Sequence, residues 1–212
     1  MPTATRTEEQ RLQRSGYAIV AGADEAGRGA WAGPLIAAAV VLPEGMRISG
    51  LRDSKLLSSR QREALYNQII ACSSWAVGAV SVQQIDERGL GWANRTALES
   101  ALLALTPRPD YALVDGLLKL TLPLPSRSII HGDGRVAAIA AASIIAKVTR
   151  DRLLERLDAD YPQYGFARHR GYGTHKHADA LKRYGVTPHH RASFAPIRAL
   201  GDRRLVLPAH GL

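Results

Sequence analysis

The 212-residue chain has one cysteine, Cys72, so no intrachain disulfide framework is possible. That cysteine is most simply a small core residue in a reducing compartment. No window approaches the roughly 20 consecutive apolar residues that a membrane-spanning helix requires. The amino terminus mixes Arg6, Glu8, Glu9, Arg11 and Arg14 and has no apolar stretch of the kind a secretion signal needs. The expectation is a soluble, cytoplasmic protein with no membrane association. Internal repeats and low-complexity segments are missing too. Acids are scarce, at 19 against 28 Lys and Arg, which leaves a net charge of +9 and a pI near 10.1. Such an excess suits a polyanionic partner or surface and says nothing about fold.

The basic charge is unevenly placed. Residues 166–204 hold nine Lys or Arg against two Asp, a local +7, together with five of the seven histidines. Hydrophobic residues make up 46% of the chain, enough to bury a sizeable core. "YAIVAGAD" (17–24), "PLIAAAVVLP" (34–43) and "WAVGAVSV" are strand patterns, "DYALVDG" is a short fourth strand, and a fifth ends near His131. Helices are expected after the Ser58–Ser59 cap, with Leu65, Ile69 and Cys72 on one stripe, after Gly89, from about Gly134 to Asp158, and near "HADALKRYG". Interleaved strands and helices give an α/β class, with a mixed sheet because the first strands are joined too tightly for a parallel crossover. Residues 1–15 are expected to be a flexible, frayed polar tail or a partial helix, 16–200 one domain whose basic part from about 162 is helical, and 201–212 a second tail.

"GADEAGRGAWAG" (22–33) sets two acids at the end of an apolar run, beside an arginine between glycines. A dinucleotide cradle would have to open a helix, but Pro34 and a strand follow, and the spacing is G-x-G-x-x-x-G. No G-K-[ST] occurs either. Asp24 ends the first strand, Asp115 the fourth, and Asp133 precedes the long helix. Taken singly, each suits a turn or a cap. Together with Glu25 they place four carboxylates where open sheets gather ligands, and hard divalent ions neutralise such a set. Asp151 lies 18 residues beyond Asp133, about 27 Å along one helix, and suits an i, i+4 pair with Lys147 instead. Ser143, Lys147 and Arg150 share a helical face that either meets phosphates or is a solvated ridge.

These residues resemble the type 2 ribonucleases H, in the bacterial ribonuclease HII branch. The resemblance runs from about residue 17 to 197 through "DEAGRGAWAGP", "DSK" (53–55), "VDG" (114–116), "GDGRVAAIAAASIIAKVTRD" (132–151), "YPQYGFARHRGYGT" and "HHRASFAP". Only about 16 residues precede the first strand, which favours this branch over ribonuclease HIII. The resemblance implies an RNase H-like mixed five-stranded sheet flanked by helices, with a helical carboxy-terminal segment that closes over the substrate. It implies Mg²⁺- or Mn²⁺-assisted cleavage of the RNA strand of RNA/DNA hybrids and of DNA with embedded ribonucleotides, leaving 5′-phosphate and 3′-hydroxyl ends. Asp24, Glu25, Asp115 and Asp133 match the acidic positions, Gly27, Arg28 and Gly29 the ribose-reading element, and Tyr172 the junction-sensing tyrosine. Ala30, Trp31 and Arg170 depart from the usual pattern, which bears on substrate grip.

Bare glycine backbone can approach a ribose 2′-hydroxyl, while Arg28 grips a phosphate. Tyr172 is either a sugar-stacking ring or a partly buried loop aromatic, and Lys55 either a phosphate contact or plain surface. His169, His175, His177, His189 and His190 have no cysteine beside them, which argues against zinc. Arg191 and Ser193 are expected to anchor the carboxy-terminal segment. "GDRRLVLPAHGL" shows no obvious clamp-binding peptide. A monomer is expected.

Overall fold

The computed structural model describes residues 3–200. Strands β1 (Val20–Ala26), β2 (Leu35–Val41), β3 (Ser74–Val80), β4 (Tyr111–Asp115) and β5 (Ser126–Ile129) form one sheet in the order β3-β2-β1-β4-β5. The loop of residues 27–34 is too short for a crossover, so β2 turns back antiparallel to β1, and β3 pairs antiparallel with β2. β4 and β5 run parallel to β1. The carboxyl ends of β1, β4 and β5 therefore share one edge of the sheet.

The described helices are α1 (Thr7–Arg14), α2 (Ser59–Cys72), α3 (Val82–Arg88), α4 (Leu90–Leu103), α5 (Ala137–Asp160), α6 (Phe166–His169), α7 (His175–Tyr184) and α8 (Ala195–Arg198). Period-two alternation along β2 sends Leu35, Ala37 and Ala39 into a core with α3 and α4. Ile36, Ala38 and Val40 enter a second core with α2 and α5. Both faces of β2 are covered, which is why its sequence is apolar throughout. α5 lies directly on the sheet: a Cβ at Gly22 of β1 would stand 2.3 Å from the backbone carbon of Ala138. Its first ten residues, 137–146, are buried on every side, with alanine supplying the close fit.

Two expectations are corrected. Residues 1–15 are not a flexible tail throughout, because α1 packs Leu12 against Val20, Leu113 and Ile139. Glu9 is 1% exposed, and its Oε1 accepts the Ala138 amide at 2.9 Å. Val136, at the amino end of α5, provides no side-chain cap, so Glu9 satisfies an otherwise orphaned N–H from a distant part of the chain. The long helix also begins at Ala137 and not at Gly134, because the chain leaving β5 first makes a tight 3-10 turn over Gly132–Gly134. Asp133 sits in that turn. α3 was not foreseen, although Ser81 and Gln84 form a capping box at its start.

Past α5, Tyr161, Tyr164, Phe166, Leu181 and Ile197 close a small core with Leu154 of α5 and Ala32 of the β1–β2 loop. The basic segment thus packs onto both the long helix and that loop. Residues 201–212 lie outside the described residues, as does the expectation attached to them. Among the described residues no helix is long and apolar enough to cross a membrane.

Glu9→Ala should lower stability by about 1–2 kcal/mol, the usual worth of an amino-terminal cap. For a chain of this size that is roughly 3–6 °C in melting temperature, measured by calorimetry. An unchanged melting temperature would show that α5 does not depend on the Glu9 carboxylate.

Candidate active site

β1 and β4 run side by side with Ala23 opposite Val114, so the next residues, Asp24 and Asp115, meet at the shared carboxyl edge. Asp115 Oδ1 accepts the Gly132 amide at 2.7 Å, which ties the turn carrying Asp133 to the end of β4. Asp24 Oδ1 accepts the Glu25 amide at 2.7 Å. Asp24 and Asp133 are buried, while Glu25 and Asp115 are half-buried. Burial pushes the Asp24 carboxyl well above its ordinary range, and the charges of Glu25, Asp115 and Asp133 add to that. Burial also raises Glu25, against the pull of Arg28 and with the push of Asp115. Asp133 is raised by burial and then by Asp53 and Asp115. Asp115 is the neighbour common to all three.

Lys55 stands at this cluster. Its Nζ lies 3.8 Å from Asp133 Oδ2 and 3.9 Å from Asp53 Oδ1. Burial alone would pull its pKa down, but Asp53, Asp133, Asp24 and Asp115 together hold it above the ordinary value. Asp53 is an acid that the sequence reading did not assign to the site. It caps the 3-10 turn Ser54–Leu56, and only its place beside Lys55 in "DSK" hinted at a role.

The donor set suits a hard cation. It is all oxygen, mutually repulsive, and the second oxygens of Asp24 and Asp115 accept no hydrogen bond among the described residues. It is not a closed cage, since among the described residues no three His, Cys, Asp or Glu side chains stand at the spacing of a complete ligand set. Mg²⁺-type sites retain waters and require no such cage.

The β1–β2 loop follows directly. Gly27 has φ +98°, and a Cβ there would stand 2.1 Å from Arg150 Nε, so this glycine is required by internal packing. Gly29 has nothing within 4 Å of its missing Cβ and opens outward. The amides of Arg28 and Gly29 find no acceptor among the described residues. Arg28 is exposed, with Nη1 3.6 Å from Glu25 Oε1. Beyond, Trp31 N and Ala32 N donate to Gly171 O at 2.8 and 3.2 Å, and Ala30 bridges Tyr172. Gly33 N donates to His189 O, and Arg191 N to Trp31 O. The stretch beginning at the acids is therefore threaded between the segment around Tyr172 and the segment around His190.

Several expected residues are corrected. Arg150 is fully buried: Nε donates to Pro34 O, Nη1 to Arg170 O and Nη2 to Ala32 O, at 2.8–3.0 Å. It holds backbone and cannot meet a phosphate. Ser143 is buried inside the alanine-rich half of α5, with no partner for its Oγ among the described residues. Lys147 pairs with Asp151 at 2.6 Å, as its i, i+4 spacing indicates, and lies 5.6 Å from the Tyr172 ring centre. These three do not form a phosphate-facing row. Arg170, half-buried, is engaged along α5 by Glu155 Oε1 at 2.7 Å and Asp151 O at 3.1 Å. Arg191 and Ser193, by contrast, anchor the carboxy-terminal segment as expected: Arg191, likewise fully buried, donates to Gly33 O twice and to Arg28 O at 3.0 Å. Ser193 is held by Asp86 of α3.

A family model described as Ribonuclease HII matches residues 21–197. Ribonuclease HII of Geobacillus kaustophilus (strain HTA426) is 53% identical over 191 residues, covering 90% of this chain and 73% of that protein. The crystal structure of the ribonuclease H2 from Pyrococcus horikoshii OT3 aligns with a TM-score of 0.74 at 30% identity, over 87% of this chain and 98% of that one. Bst-RNase HIII in complex with Mn²⁺ shares the fold at a TM-score of 0.65 and 20% identity, over 88% and 71% of the two chains.

Repulsion among these acids has a thermodynamic sign. Asp24 holds its proton more tightly folded than unfolded, so ionising it costs stability as pH rises above its unfolded value near 3.8. In chelator, Asp24→Asn should therefore melt above the parent by a few degrees, about 1 kcal/mol, at pH 7. The gap should close towards pH 3, where both side chains are neutral. A variant that melts lower than the parent at pH 7 would show that Asp24 is not electrostatically strained.

Proposed function

The chain belongs to the ribonuclease HII family and is an endoribonuclease acting on RNA/DNA hybrids; we propose that Asp24, Glu25, Asp115 and Asp133 carry its hydrolytic step. The loop at Gly27, Arg28 and Gly29, with Tyr172, then chooses the phosphodiester. The observation that carries this reading is the meeting of Asp24, Asp115 and Asp133 at one sheet edge, next to a loop whose exposed Arg28 and Gly29 amides have no acceptor among the described residues.

The four carboxylates would hold Mg²⁺ or Mn²⁺, and an enzyme of similar fold has been crystallised with Mn²⁺. When bound, such an ion supplies a Lewis acid for the attacking water and the departing 3′ oxygen. The protein's own groups do the rest. Asp115 fixes the Asp133 turn through Gly132, so the acids keep their spacing. Lys55, already at the cluster and exposed, can leave its ion pairs to meet a phosphate once the acids are otherwise neutralised. Arg28 has the same choice between Glu25 and a phosphate.

Selection of ribose follows from the loop. The Arg28 and Gly29 amides can donate to a 2′-hydroxyl, a group that DNA lacks, and the open space at Gly29 lets a sugar approach. Tyr172, half-buried, would stack on the sugar next to the scissile bond and read the step from ribo- to deoxyribonucleotide. Cleavage on the 5′ side of an embedded ribonucleotide would leave 5′-phosphate and 3′-hydroxyl ends. One chain supplies all these groups, which suits action as a monomer. The exposed Arg168, Lys176, Lys182, Arg183 and Arg198 would meet the duplex backbone.

A DNA duplex with one embedded ribonucleotide should be cut in Mg²⁺ or Mn²⁺ while an all-DNA duplex is left whole. Asp24→Asn should lose about 10²–10³-fold or more in rate, the scale of removing one stabiliser of developing charge. Equal cutting of both duplexes would remove ribose selection from the reading. Binding should also weaken steeply with salt as counterions compete for the phosphates, and a flat salt dependence would show that the exposed cations do not touch the duplex.

A further inference from the structure

Tyr172 is held from behind by histidines that hydrolysis does not use. The Thr187 backbone N–H donates to His190 Nδ1 at 2.9 Å, and a backbone amide can only donate. His190 Nδ1 is therefore bare, and neutral His190 carries its proton on Nε2. That nitrogen lies 3.0 Å from His177 Nε2, which must then accept. The His177 proton is left on Nδ1, 3.0 Å from the Tyr172 carbonyl, and is donated there. Donation thus runs one way, Thr187 to His190 to His177 to Tyr172.

Both rings are interior, His177 at 0% and His190 at 4% exposure. Trp31, Phe166 and His169 pack around His177 with ring centres 4.2–5.7 Å away. His169, stacked on His177, accepts the Gly171 amide at its Nδ1. Imidazoles therefore grip the amide before Tyr172 and the carbonyl of Tyr172 itself. Burial keeps His177 and His190 neutral by drawing their pKa values down to about 4 and about 3.

We propose that His177 and His190 are positioning residues for ribonucleotide recognition, fixing the Tyr172 backbone so that its ring is presented at a set angle. This rests on the reading of Tyr172 as the residue that contacts the sugar. It differs from simple packing because it depends on the direction of each hydrogen bond and not only on the shape of the rings.

The test is a double-mutant cycle on a duplex with one embedded ribonucleotide, reading kcat/KM. Tyr172→Ala should lose about tenfold to a hundredfold, the worth of one stacked contact. His177→Leu, which keeps bulk but removes the donor, should lose about tenfold in the parent, the scale of one lost hydrogen bond. It should lose nothing further in the Tyr172→Ala background. His177→Asn, whose amide nitrogen can still donate to the Tyr172 carbonyl, should recover most of the activity. Should His177→Leu fail to fold, His190→Asn takes its place in the cycle, because it keeps an acceptor for Thr187 and removes the donor to His177. Nitrogen-15 NMR of the parent protein should find the Nδ1–H tautomer at His177 and the Nε2–H tautomer at His190. Equal losses with and without Tyr172, or other tautomers, would overturn the proposal while leaving the reading of the site intact. Full activity in Tyr172→Ala would overturn both.

Discussion

Two guanidinium groups with no carboxylate among their hydrogen-bond partners in the described residues set the shape of the β1–β2 loop. Arg150 and Arg191 are fully buried, and each donates three times to backbone carbonyls, of Ala32, Pro34 and Arg170 in one case and of Gly33 and Arg28 in the other. Burial and the neighbouring Arg150 charge draw the Arg191 pKa down to about 9, which still leaves it charged near neutrality. Burying a charge is tolerable only when it is hydrogen-bonded, and here irregular backbone engages every nitrogen of both guanidinium groups. The same bonds satisfy carbonyls that a loop threaded through the interior would otherwise leave orphaned. The position of Gly27 follows, since any side chain there would displace Arg150. Loop and arginines specify one another.

The acids were legible because their signal is local: a carboxylate at the end of an apolar strand lies at the sheet edge whatever the details of packing. The strands and the mixed sheet were legible from alternation, continuous apolar runs and loop length. Burial was harder to see. Spacing of i, i+4, i+7 places Ser143, Lys147 and Arg150 on one face but does not say what that face meets, and here it meets protein. The packing of α1 was missed, though a partial helix was expected there, because its anchor, Glu9, finds its partner Ala138 on a distant helix, and no local pattern records that pairing. Asp53 joined the site through a loop whose path only the fold determines.

Charge is sorted more finely than composition suggests. Arg191 and much of Arg170 are spent on internal backbone and acids, so the basic segment shows fewer cations to a partner than its count implies. At the opposite pole, four or five carboxylates crowd one sheet edge with Lys55 and Arg28 as local counter-charges. Both cations are on exposed side chains and so can be exchanged for others. A protein strongly basic overall thus presents an acidic sheet edge beside two exposed, ion-paired cations.

The Glu9 contact bears on how the molecule can be handled. A segment that looks dispensable in sequence closes the start of α5, and Ala138 at that start lies against Gly22, two residues before Asp24 on β1. Trimming the chain back to its first strand would therefore bare an amide beside the strand that carries Asp24. The amino-terminal helix is part of the foundation of the acidic site, packed on the same face of the sheet as α5.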